Sequence, residues 1–178
     1  MSVFTNYRFN NQFNKGELLY KSIFRESMLT GDTIEQAFEH FVTAASGGHA
    51  KSKLRVYQLY RLCGTDGPIC NVNKEDSIKW LKQSAESGEP EAQYLLGQMY
   101  LDGEINVLDR YKLAYDLFEK AGTAKSLASQ GYMLYYGLNG LMSRQDAFYK
   151  YDRARKMGWR DKGGNMKIMF GEDSEWLG

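Results

Sequence analysis

Residues 91–103 read EAQYLLGQMYLDG. Ala92, Leu96, Gly97 and Tyr100 stand at i, i+4, i+5 and i+8, which is one stripe of an α-helix and predicts a buried seam. Gly97 sits inside that seam. A mid-helix glycine costs about 1 kcal/mol relative to alanine, so a packing gain must offset it. The missing side chain predicts close approach of a neighbouring helix. The same pattern returns in 126–137, SLASQGYMLYYG, with Gly131 at the close-approach position, and more loosely in 52–63, SKLRVYQLYRLC.

A second pattern alternates with the first. Segments 37–50 (AFEHFVTAASGGHA), 77–90 (SIKWLKQSAESGEP), 114–126 (AYDLFEKAGTAKS) and 147–159 (AFYKYDRARKMGW) each open on a small residue. Ala37, Ser77, Ala114 and Ala147 are spaced by 40, 37 and 33 residues, an internal repeat. Gly48, Gly88 and Gly158 follow the second helices, where a left-handed C-terminal residue is common. Asp32, the Asn73–Asp76 segment and Asp109 precede or open second helices, as N-caps and first-turn acids do.

The expected fold is therefore all-α, with about four antiparallel helix pairs. The predicted spans are 16–29 with 34–46, 50–62 with 74–87, 91–102 with 110–122, and 125–137 with 144–157. Residues 1–15 are an N-terminal extension or cap, 16–158 the repeat array, and 159–178 a C-terminal cap or tail. The 64–73 stretch, GTDGPICNVN, reads as an irregular surface excursion. The junction at 122–126 is about three residues shorter than its counterparts and predicts a tight corner.

Composition agrees. The 178 residues suit one domain or a short repeat array, and only two are proline, which favours helix over a loop-rich β fold. Hydrophobic residues make up 43% and charged residues 25%, which argues against global disorder. The net charge of +1 removes bulk attraction to nucleic acid or anionic lipid as a leading idea. The start, MSVFTNYRFNNQFNKG, has no apolar core of secretion-signal length, and no run of 18 apolar residues occurs, so a cytoplasmic protein without a membrane span is expected. Cys63 and Cys70 are too few for a disulfide framework. They are read as reduced thiols, with a bridge across the short loop as the alternative. Their C-x6-C spacing, with His40 and His49 elsewhere, gives no metal site.

With these residues in place, the chain resembles the Sel-one-like repeat family, a relative of the tetratricopeptide repeat. AQYLLGQMYLDG matches the first half of the family unit, and SIKWLKQSAESG and AYDLFEKAG match the second. The resemblance covers about residues 20–158. It departs at Tyr57, which replaces the close-packing glycine, and at Cys63, which replaces the terminal glycine. Lys150 and His40 stand where tryptophan is usual. The resemblance implies an α-solenoid of about four antiparallel helix pairs in a right-handed superhelix, which binds proteins or peptides and carries no chemistry of its own.

A solenoid of helix pairs lines its inner face with first helices. Positions rotated from the seam select Glu91, Tyr94, Gln98, Leu101 and Asp102; the preceding repeat gives Lys51, Leu54, Gln58, Arg61 and Leu62. The last repeat gives Lys125, Ala128, Tyr132, Tyr135 and Tyr136. Among them the partner-binding candidates are Lys51, Gln58, Arg61, Tyr94, Gln98, Asp102, Tyr132, Tyr135 and Tyr136, since tyrosine and arginine are frequent anchors. Tyr60 and Tyr100 are assigned to the core. The basic stretch 144–167 reads first as a solvated helix face, with a nucleic-acid or acidic-partner patch as the alternative. The tail GEDSEWLG (171–178) reads as an end cap or a docking motif.

No nucleophile elbow, zinc-protease, P-loop or dinucleotide signature occurs. His40 is expected to be packed and His49 to serve a turn or helix start, so no catalytic residue, metal or cofactor is assigned. The leading function is a non-catalytic adaptor holding a protein or peptide in its groove, with a bacterial immunity or antitoxin-like neutraliser as its sharper form. The alternatives are nucleic-acid contact through the 144–167 basic face, and self-association as a scaffold.

Overall fold

In a computed structural model the described residues are 3–25, 31–63, 74–162 and 164–171. They form α1 (Val3–Arg25), α2 (Gly31–Ser46), α3 (Ala50–Cys63), α4 (Lys74–Glu86), α5 (Pro90–Asp102), α6 (Arg110–Ala121), α7 (Ala124–Tyr136), α8 (Arg144–Lys156) and α9 (Asn165–Phe170). Among the described residues there is no strand. The architecture is an all-α solenoid of consecutive helix pairs.

Seven helices fall on the predicted spans within a few residues. The first begins at Val3 rather than 16, because the polar run 5–15 continues the same helix. The short α9 lies in the segment predicted only as a cap or tail. The 64–73 excursion, the Cys63–Cys70 pairing and the tail from 172 onward lie outside the described residues and side chains.

The chain divides into two compact units, Met1–Ala92 and Gln93–Gly178, with the boundary inside α5. In the first unit α1 packs on α2, α2 on α3 and α3 on α4. Its core gathers Ile23, Ile34, Ala37, Phe41, Ala45, Val56 and Leu59. In the second, α7 packs on both α6 and α8. One cluster there centres on Ala114, Phe118 and Met133, and another on Leu127, Ala128, Tyr151, Ala154 and Met169.

The glycine seam is a set of ring sockets. A Cβ on Gly97 would lie 2.7 Å from the Phe118 ring, and one on Gly131 2.8 Å from the Tyr151 ring and 3.0 Å from the Ala147 carbonyl. These distances are far inside van der Waals contact, so the aromatic of the second helix occupies the space that glycine leaves. The first pair uses the same device: a Cβ on Gly16 would meet Phe41 at 2.7 Å. The second pair inverts it. There Tyr57 stands at the glycine position of α3 and Leu81 at the aromatic position of α4, and both are buried. Large and small residues change places together.

Helix ends follow from local chemistry. Gly88 and Gly158 adopt φ of 85° and 88°, and the next amides, of Glu89 and Trp159, return to the carbonyls of Ser84 and Ala154. The corner at 122–126 is tight, as expected: α6 ends at Ala121 and α7 begins at Ala124. Thr123 caps α7 by accepting from the Ser126 amide, and Ser143 caps α8 by accepting from Asp146. Asp109 occupies the N-cap position of α6, but its side chain makes no capping bond.

Candidate partner-binding cleft

The second unit holds a cleft between first helices α5 and α7. Tyr94, Gln98, Leu101 and Asp102 line it from α5, and Lys125, Ser129 and Tyr132 from α7, around a cavity of about 470 Å³. Helical spacing explains the convergence: 94, 98 and 101–102 are successive turns of one face, as are 125, 129 and 132. Four candidate residues chosen from the sequence, Tyr94, Gln98, Asp102 and Tyr132, thus share one site.

Polar contacts fix the walls. Ser129 Oγ donates to Gln98 Oε1 at 3.1 Å, tying α7 to α5. Tyr94 packs against Phe118, ring centroids 5.8 Å apart, and Lys125 Nζ stands 5.9 Å from the Tyr94 ring centroid. Burial raises the Tyr94 pKa above its ordinary value; the hydrogen bond with Ser129 opposes this, and the Asp102 charge adds to it. The phenol therefore stays protonated and able to donate at neutral pH. Tyr132 remains 38% exposed, with its ring 4.7 Å from that of Tyr136.

Tyr135 and Tyr136 point elsewhere on α7. Tyr135 is half-buried, donates its hydroxyl to the Met169 carbonyl at 2.9 Å and packs on Phe170, so α9 has already engaged it. Tyr136 is 49% exposed.

In the first unit the remaining candidates are spread along α3. Lys51 is exposed beside the 46–50 turn, where it lines a separate cavity of about 410 Å³ with Phe9, His49 and Glu89. Arg61 is exposed near the other end of α3, its Nη1 3.5 Å from the Tyr57 hydroxyl. Gln58 is engaged in a polar ladder. Arg55 Nη1 donates to its Oε1 at 2.5 Å, and its Nε2 donates to Glu91 Oε1 at 3.1 Å. Arg55 also pairs with Glu17 through two nitrogens and lies over the Tyr20 ring. Burial acts to lower the Arg55 pKa, and the hydrogen bond and charge of Glu17 more than reverse it. Sequence reasoning missed Arg55 and Glu17, because no pattern links residues 38 positions apart.

One groove position is corrected: Leu54 is fully buried. Ala128 does line the cleft, although only 6% exposed. Both α3 and α7 pack on two other helices, so their buried arc is wider than one seam. Conversely Tyr60 and Tyr100, assigned to the core, are half-buried; Tyr100 packs at the edge of the Phe118 cluster.

The histidines sit as expected. His40 Nδ1 lies 2.7 Å from Gln12 Oε1. His49 stands just before α3, its Nδ1 accepting from the Ser52 amide at 3.2 Å, a cap made by an imidazole. The 144–167 basic face is broken up: Arg155 and Lys156 pair with Asp152, and Lys150 donates to buried Gln130. Among the described residues no three of His, Cys, Asp and Glu gather as metal ligands, and no helix is long and apolar enough to cross a membrane.

Paired helices with glycine-to-ring sockets define a helical-repeat protein. The Sel1 repeat model matches residues 26–49, 59–89, 90–126 and 124–157, and the chain belongs to the Sel1 repeat family. Similar solved structures include the following two. One is c5321, a protective antigen present in uropathogenic Escherichia coli strains displaying an SLR fold. It is 24% identical with a TM-score of 0.68, over 85% of this chain and 31% of that one. The other is a Sel1 repeat protein from Oxalobacter formigenes, 28% identical with a TM-score of 0.64, over 76% of this chain and 39% of that one. The chain thus spans about a third of the length of these proteins. No curated protein matches the chain.

Proposed function

We propose that the chain is a non-catalytic binding module that holds a segment of another protein in the α5–α7 cleft. The observation that carries this reading is the convergence of Tyr94, Gln98, Asp102 and Tyr132 on one cavity. Two half-exposed phenols, an amide and a carboxylate there offer the mixed ring and hydrogen-bonding surface that peptide backbones and side chains use. Family membership supports it, because Sel1 repeats generally mediate protein–protein contact.

The test is co-purification with tagged chain from its host, followed by reconstitution with the identified partner as a pure protein. Tyr94→Ala and Tyr132→Ala should each weaken binding by about tenfold or more, as anchor truncations do. Wild-type affinity in both variants, with helical content intact, would remove the cleft from consideration. Adaptor and neutraliser are separated by the identity of the partner: an immunity-type role requires that it be a toxin whose activity the chain suppresses.

A further inference from the structure

The cleft continues into a second cavity of about 620 Å³, sharing Tyr94, Lys125 and Trp159 with the first. Its other walls include Met157, Arg160 and Lys162, from the segment that follows α8. Lys125, Arg160 and Lys162 are all exposed, and among the described residues no carboxylate pairs with any of them. The other basic groups nearby are differently placed, since Asp152 holds Arg155 and Lys156. Beneath the three cations lies an apolar floor: Met157 is 53% exposed, and Trp159 and Tyr94 are half-buried.

Resting on the reading of the cleft as a protein-binding site, we infer that its occupant is an acidic segment bearing a large apolar side chain. Carboxylates of that segment meet Lys125, Arg160 and Lys162. The apolar side chain lies on Met157, Trp159 and Tyr94. Charge complementarity selects the occupant: the three cations, which have no carboxylate partner among the described residues, outnumber the one carboxylate lining the cavity, Asp161. A nucleic-acid strand fits less well. A polyanion needs an extended basic field, and the chain's net charge is only +1.

The experiment uses the full chain and three labelled pentapeptides in fluorescence polarisation at low salt: Glu-Glu-Trp-Glu-Glu, Gln-Gln-Trp-Gln-Gln and Lys-Lys-Trp-Lys-Lys. The acidic peptide should bind about tenfold tighter than its amide counterpart, the sum of three partly screened pairs. The basic peptide should be weakest. Arg160→Glu combined with Lys162→Glu should erase the preference for acid while circular dichroism is unchanged. Tyr94→Ala should weaken acidic and amide peptides alike. Equal binding of acidic and amide peptides overturns the inference and leaves the cleft as a peptide site. Absence of binding by all three up to millimolar concentration overturns both. A labelled single-stranded oligonucleotide that binds tighter than the acidic peptide at the same salt also overturns it, in favour of phosphate.

Discussion

Gly97 and Gly131 each forgo helix propensity so that a ring can lie against backbone. Replacing either with alanine regains about 1 kcal/mol of propensity and forces an overlap with Phe118 or Tyr151. Overpacking costs about 1–3 kcal/mol in a filled core, so a lower urea midpoint is expected for Gly97→Ala. A larger loss is expected for Gly131→Ala, where the Ala147 carbonyl cannot move aside as a ring can. Gly97→Ala combined with Phe118→Leu should recover part of the loss in a double-mutant cycle. His49 yields a prediction in pH. Burial first, then the Lys51 charge, lowers its folded pKa below the ordinary 6.5, so the unfolded chain binds the proton more readily. The cap it makes on α3 is therefore at full strength above pH 6.5, and its stabilisation is lost as pH falls through the lowered folded value. Urea midpoints between pH 5 and 7.5 should show this slope; His49→Asn, which caps without titrating, should flatten it. Part of this was legible in the sequence. Gly97 and Gly131 were visible because their repeats match each other. Gly16 plays the same role but was hidden, because it lies 21 residues before Ala37, against 17 from Gly97 to Ala114, and is flanked by Lys15 and Leu19 in place of leucine and tyrosine.

At the scale of helices, caps fix where each element begins. Thr123→Ala removes the side-chain acceptor of the Ser126 amide and should cost about 1 kcal/mol. Because the 122–126 corner has no spare residues, the loss should be confined to α7 and its neighbours. Hydrogen exchange of amides 124–136 reads this directly. Asp109→Ala, by contrast, removes no capping bond and should be nearly neutral at its N-cap. The short α9 gives a further test. Tyr135→Phe deletes its hydroxyl bond to Met169 and should cost about 1 kcal/mol, with faster exchange in 165–170. Helix existence was readable because small and apolar residues recur on a 3.6-residue period over a dozen positions. Leu54 lies in the core and not in the groove because a single stripe describes a helix with one neighbour, whereas α3 packs on two.

At the scale of the molecule, stability in a repeat array comes from units and their nearest contacts rather than from one central core. The two ring-filled clusters of the second unit and the Phe41 cluster of the first are separate stores of buried area. The cleft was half legible on these terms. Its α5 and α7 walls follow the repeat and could be named in advance. Met157 and Trp159 end the last repeat segment, and Arg160 and Lys162 stand out in the sequence only as members of the basic stretch 144–167, because periodicity ends there and no pattern aims them at the cleft. The sockets also bear on how such a chain can be rebuilt. A first helix carrying Gly16, Gly97 or Gly131 accepts an aromatic from its mate, whereas the α3–α4 hairpin pairs tyrosine with leucine. Recombination that exchanges single helices between hairpins would put ring on ring or leave a hole wherever α3 or α4 is involved. Only whole hairpins are interchangeable cassettes here, so duplication or loss of repeats in this lineage should break between pairs and not within the second one.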